Sequence, residues 1–128
     1  LEEQILEILS KFKIKNFFFL DQSFPFLIKT AKKGESRCAI RLSEYESIET
    51  VLNLKNLVKW VWVDFFSKFP LDKDSFRKLK SNKFNICLVS PELQGYNKNH
   101  IVTIKNILKK EEIKVEAVCT KQPLQWIN

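Results

Sequence analysis

Five short apolar runs punctuate this chain, at residues 16–20, 37–42, 59–65, 84–90 and 114–120, and helical periodicity fills the stretches between them. No other feature limits the fold as strongly. Strands that alternate with helices return to one sheet by right-handed crossovers and so lie parallel. The runs are apolar on both sides and rich in aromatic and β-branched residues, as strands with two covered faces must be. The last run passes from Val115 and Val118 into the polar Thr120 and Lys121 and stops at Pro123. That is the pattern of a strand delivering side chains to the mouth of an α/β fold. The expected fold class is α/β, with about five parallel strands alternating with amphipathic helices in a single domain over residues 1–128.

The intervening stretches carry helix signals. Leu1, Ile5, Ile8 and Phe12 share one side of a first helix, with Glu2, Glu3 and Glu7 turned away. Ser23 ahead of Phe24-Pro25 marks a helix start, since proline in the first turn forfeits no hydrogen bond, and Gly34 marks its end. Ser43 and Glu46 have capping-box spacing, which predicts a helix opening there with Ile48, Val51 and Leu52 on its buried side. Pro70-Leu71-Asp72 leads into a helix carrying Phe76 and Leu79 inward, and Ile101, Ile104, Ile107 and Leu108 define the last.

Composition removes several classes. With 45% hydrophobic residues, 11 Phe and 2 Gly in 128 residues, the chain can bury a core and is too apolar for disorder. It has no apolar run of about 18 residues, so no transmembrane segment is expected. No basic region followed by an apolar stretch opens it, so no secretory signal is expected. It begins with Leu1 and not Met, so further chain upstream is expected. The net charge of +7 raises the question of nucleic acid, whose phosphates bind clustered cations. The lysines are scattered, however, from Lys11, Lys13 and Lys15 to Lys105, Lys109 and Lys110, mostly on polar helix faces or last turns. A solvated basic surface and no nucleic-acid partner are expected. Cys38, Cys87 and Cys119 are odd in number and far apart, which predicts buried free thiols in a reducing, cytoplasmic compartment.

In parallel α/β folds, chemistry gathers at the carboxyl ends of the strands, whether the sheet is open or closed into a barrel. Asp21, Arg41, Glu44, Asp64, Ser90, Glu92, Thr120 and Lys121 occupy those positions. Alternation turns Cys38, Ile40 and Leu42, and likewise Val61, Val63 and Phe65, toward the helices. Ala39, Arg41, Trp60, Trp62 and Asp64 are left on the other side. Arg41 suits an anionic ligand, because a guanidinium grips a phosphate through two hydrogen bonds, each charge-assisted bond contributing about 1.5–3 kcal/mol. Pairing of Arg41 with Asp64 as a structural bridge is the alternative. For Glu44, in a helix's first turn, the dipole explains a carboxylate as well as a ligand does. Ser90 and Glu92 flank a proline turn, Trp62 is core or substrate wall, and His100 is expected in solvent and not as a general base.

A resemblance adds to this. Val115-Glu116-Ala117-Val118-Cys119-Thr120-Lys121-Gln122-Pro123 resembles the closing strand of the glycerophosphodiester phosphodiesterase family, Gly-Val-Asp-Gly-Ile-Ile-Thr-Asp-x-Pro. Asp21-Gln22-Ser23-Phe24 is similar to that family's strand ending in Ser-Phe-Asp, and Phe84-Asn85-Ile86-Cys87-Leu88-Val89-Ser90 takes the place of its Val-x-Val-Trp-Thr-Val-Asn strand. The resemblance implies a partial (β/α)8 TIM barrel, the carboxyl-terminal portion of a phospholipase-C-like phosphoric diester hydrolase of lipid metabolism. It also implies a divalent metal, Mg or Ca, in the whole enzyme and a small-molecule phosphodiester as partner.

The departures from that family matter as much. Lys121 stands where it has its terminal aspartate, and its His-Arg-Gly motif, Glu-x-Asp metal pair and second histidine do not occur in this sequence. No catalytic residue and no cofactor are therefore expected in this chain alone, which would depend on an amino-terminal half of the barrel or on self-association. On this reading Arg41 holds the phosphate, Glu44 and Asp64 orient substrate hydroxyls or a metal shell, and Trp62 packs against the non-reacting part. Ser90, Glu92 and Lys121 complete the binding group. Two other classes remain open: a non-catalytic α/β domain gripping an anionic partner through Arg41 and Lys121, and a TIM-barrel lyase with Lys121 as Schiff-base lysine.

Overall fold

The computed structural model describes residues 1–127. Along these the elements are α1 (Glu2–Lys11), α2 (Phe24–Lys32), β1 (Ala39–Leu42), α3 (Ile48–Leu52), β2 (Trp60–Val63), α4 (Lys73–Ser81), β3 (Asn85–Val89), α5 (His100–Lys110) and β4 (Ala117–Cys119). Short 3₁₀ turns follow β3 at Pro91–Gln94 and β4 at Pro123–Gln125. The strands lie in sequence order, β1-β2-β3-β4, and every pair is parallel. A helix fills each crossover, since a parallel neighbour cannot be reached by a tight turn. Among the described residues no helix is long and apolar enough to cross a membrane.

The period of two decides what each face of the sheet does. Ile40, Leu42, Val61, Val63, Ile86 and Leu88 point to one side, where Leu27 and Ala31 of α2, Val51 of α3, Leu79 of α4 and Ile104 of α5 close over them. Each of these is at most 6% exposed, and burying a Val, Leu or Ile side chain stabilises by about 1.5–3 kcal/mol. The other face carries Ala39, Trp62, Cys87 and Val89, against which Phe18, Trp60, Leu93, Ala117 and Cys119 pack. So α2 to α5 all contribute to the first face. α1 has no buried residue.

The first apolar run does not form the expected fifth strand. Residues 16–20 make a single parallel bridge, Phe19 with Cys38, in which Phe19 N–H donates to the Arg37 carbonyl at 2.8 Å and Ala39 N–H to the Phe19 carbonyl at 2.9 Å. The run has a neighbour on one side only, and Asp21 turns it aside with φ of 54°, in the left-handed region.

The helix expected from Ser43 also begins later. Ser47 caps α3, its hydroxyl accepting from Thr50 N–H at 3.3 Å. Ser43 and Glu46 instead close a small antiparallel bridge, in which the Ser43 hydroxyl donates to the Glu46 carboxylate and accepts from Tyr45 N–H. Bonded side chain to side chain, the capping-box pair shapes a turn ahead of the helix. α2 follows expectation, ending before Gly34, whose φ of 97° lets its N–H return to the Ala31 carbonyl. α4 is held by a true capping box, Asp72 with Ser75.

Candidate functional site

β1 and β2 place Arg41 and Trp62 side by side in register. They line a cavity of about 440 Å³ together with Asp21, Gln22, Glu46 and Thr50. Trp62 forms an apolar wall, 8% exposed, and Arg41 supplies the cation. An Arg41 Nη2–Asp21 Oδ1 bond of 2.5 Å orients the guanidinium. The two side chains are 39% and 62% exposed, so this pair contributes about 0–1 kcal/mol and can yield to a multiply charged anion. The guanidinium makes no other hydrogen bond among the described residues. Gln22 donates through Nε2 to Glu2 Oε1 at 3.2 Å and Thr30 Oγ1 at 3.0 Å. Its Oε1 is buried and has no partner among the described residues.

The bridge between Arg41 and Asp64 is not made. Asp64 is 4% exposed, and its Oδ1 accepts from Phe65 N–H at 2.9 Å and from Gln94 Nε2 at 2.7 Å. The left-handed turn at Asp21 delivers a different carboxylate to Arg41, while the 3₁₀ turn after β3 brings Gln94 to Asp64. Asp64 lies outside the Arg41 cavity.

Glu44 is bound to the loop after β2 instead of standing in a helix's first turn. Its carboxylate accepts from the backbone N–H groups of Phe66, Ser67 and Lys68, at 2.6–3.1 Å, and from the Ser67 hydroxyl at 3.0 Å. Desolvation favours the neutral acid, but the N–H donors outweigh it and hold the carboxyl down to about 2. A carboxylate with this many donors organises the loop and has little capacity left for substrate or metal.

Ser90 and Glu92 work as a latch on the tail of the chain. Ser90 is fully buried; its hydroxyl donates to Glu92 and accepts from Trp126 Nε1 at 2.9 Å. Glu92 Oε1 also accepts from the Thr120 hydroxyl at 2.6 Å and Lys121 N–H at 2.9 Å. Desolvation opposes ionisation of Glu92, yet these donors leave its carboxyl below the ordinary value. Lys121 enters this network by its backbone. Its side chain is exposed, without the apolar pocket that activates a Schiff-base lysine.

Three further positions complete the account. His100 is exposed beside the Tyr96 ring, centroids 5.0 Å apart. Cys38 and Cys87 are buried, and desolvation pushes both thiols up to about 11. Cys119 is only half-buried, contrary to expectation, because β4 is the last strand of the order. Among the described residues no group of three or more His, Cys, Asp or Glu side chains could hold a metal ion, so these residues do not fit a divalent metal.

Sequence reasoning singled out Arg41 and Trp62, which the fold places in one cavity, and did not single out Gln22, Thr50 or Trp126. Gln22 directly follows the Asp21 turn, which was its one legible signal. No signal linked Trp126, beyond the closing proline, to Ser90. No family model, curated protein or solved structure matches this chain.

Proposed function

We propose that the chain is one arc of a (β/α)8 barrel, and that the carboxyl ends of β1 and β2 form the phosphate-binding wall of a phosphoric diester hydrolase resembling the glycerophosphodiester phosphodiesterases. The observation that carries this reading is the cavity shared by Arg41 and Trp62, a free-sided guanidinium next to an apolar wall at the carboxyl end of a parallel sheet. Sequential strand order with α2 to α5 on one face supports it, since a barrel arc needs both. In this reading Arg41 exchanges Asp21 for phosphoryl oxygens and Trp62 lies along the alcohol. Asp64, Glu44, Ser90 and Glu92 hold the surrounding loops in place.

General acid–base groups for a phosphodiester, and a divalent metal such as Mg or Ca, then come from a further segment. Reduced Cys38 and Cys87 fit a cytoplasmic setting. A second reading is favoured by the full engagement of Glu44 and Glu92 in the fold: a non-catalytic domain that binds a small anion in the same cavity.

Calorimetric titration with sn-glycerol 3-phosphate tests both. Binding is expected, with Arg41→Ala weakening it roughly 10- to 100-fold, the equivalent of one charge-assisted hydrogen bond of about 1.5–3 kcal/mol. Arg41→Lys should restore it only in part, because an ammonium lacks the planar fork. Hydrolysis of bis(p-nitrophenyl) phosphate with Mg or Ca by the chain joined to the segment that supplies those groups, lost in Arg41→Ala, selects the hydrolase. Binding without hydrolysis by that joined protein selects the second reading. An Arg41→Ala variant that binds like the parent overturns both.

A further inference from the structure

The opposite end of the sheet carries a second concave surface. A cleft of about 580 Å³ opens where the strands begin and is lined by residues 15–18 together with Arg37, Lys59, Trp60 and Asn85. This volume falls in the range of small-molecule sites. We propose that the cleft binds a planar aromatic phosphate of nucleoside monophosphate size.

The walls are flat and apolar. Phe18 stacks on Trp60, centroids 4.7 Å apart and planes 27° from parallel. The Arg37 guanidinium lies 4.1 Å from the Phe17 ring centroid, a second layered pair. Arg37 is itself neutralised: Nε and Nη2 donate to the two oxygens of Glu35 at 2.8 and 2.6 Å. It therefore serves as a planar wall, and it fixes the cleft by donating from Nη1 to the Lys15 carbonyl at 3.4 Å.

The charge comes from Lys15 and Lys59. Among the described residues, lysine ion pairs and lysine hydrogen bonds involve Lys33, Lys73, Lys80 and Lys105, leaving the Lys15 and Lys59 ammonium groups unpaired. No Asp or Glu lines the cleft among the described residues. Asn85 is in register with Trp60, and its backbone N–H donates to the Lys59 carbonyl at 2.8 Å, so ladder bonds set amide, aromatic ring and cation beside one another. Two ammonium groups recognise the phosphate, the aromatic walls stack with a ring system, and the Asn85 amide, a donor and an acceptor at once, reads a polar ring edge. Stacking on a protein aromatic contributes about 1–3 kcal/mol per base. This site is separate from the Arg41 cavity, and its proposal stands independently of the hydrolase reading.

The test is a titration of isotope-labelled chain with adenosine 5′-monophosphate, adenosine and inorganic phosphate at physiological salt, followed by NMR. The monophosphate should shift the Trp60 indole N–H and the Asn85 side-chain NH2 and saturate in the millimolar range or below. Adenosine and phosphate alone should each bind roughly tenfold or more weakly, about 1.4 kcal/mol or more. The Lys15→Ala/Lys59→Ala double variant changes two exposed side chains and should keep the parent's spectrum while losing roughly tenfold or more in affinity; Arg41→Ala should leave this affinity unchanged. Shifts spread over surface lysines without Trp60 and Asn85, phosphate alone binding as well as the nucleotide, no saturation, or a double variant equal to the parent would each overturn the proposal.

Discussion

Replacing Glu44 by Gln probes the most heavily bonded carboxylate near the strand ends. Glu44 accepts from three consecutive backbone N–H groups and one hydroxyl in the 66–68 loop, and its carboxyl lies near 2 where an ordinary glutamate has 4.5. At about 1.36 kcal/mol per pH unit, that displacement sets a ceiling of roughly 3 kcal/mol on what the charge contributes. The loop is exposed and its N–H groups can turn to water, which screens the interaction; about 1–2 kcal/mol is the discounted figure. The sign follows from the lowered value. The contribution is complete above pH 4.5, where the unfolded side chain is also ionised, and fades as pH falls toward 2 and the native carboxylate protonates. Thermal unfolding by circular dichroism at neutral pH should place Glu44→Gln roughly 3–10 °C below the parent. Near pH 2 the two midpoints should converge. Equal midpoints at neutral pH, or a gap that persists undiminished in acid, would refute the claim that charge on Glu44 holds this loop.

Three further outcomes follow from the packing. Leu79→Ala empties a fully buried position between α4 and the sheet and should destabilise by about 2–5 kcal/mol in urea unfolding, without altering sn-glycerol 3-phosphate affinity beyond what loss of fold explains. Trp126→Phe removes the donor to buried Ser90 and should cost about 1–2 kcal/mol, with faster amide exchange at Lys121 as the sign that the tail is released. Cys38 and Cys87, pushed up to about 11, should react with a disulfide reagent at pH 8 only on unfolding, and Cys119 ahead of them; rapid labelling of Cys38 in the native protein would contradict its burial.

The strand and helix pattern was legible because it depends on periodicity, which is local. Alternation along residues 59–65 separated Val61, Val63 and Phe65 from Trp60 and Trp62, and the two clusters divide in that way. Pairings of polar groups were not legible. Arg41 had three carboxylates at neighbouring strand ends to choose from, Asp21, Glu44 and Asp64, and sequence distance says nothing about which is near. Backbone geometry resolved it: a left-handed residue at Asp21, loop N–H groups that claimed Glu44, and a 3₁₀ turn that brought Gln94 to Asp64. The fifth strand failed for a related reason, since an apolar run at an edge has one ladder to join and a turn can withdraw it.

The amino-acid sequence by itself determined the α/β class, the order of elements from α2 onward, which strand residues enter the helix-covered core, and where the chain would place its polar ends. Those follow from side-chain period and from propensities acting over a few residues. Only the tertiary structure decided that Arg41 and Trp62 would share a cavity, that Glu44 and Glu92 would fasten loops, and that Lys15, Lys59 and a stacked aromatic pair would meet at the other end of the sheet. Such meetings depend on crossover geometry and turn conformation summed over many residues, where a difference of a single left-handed φ redirects a side chain to another partner.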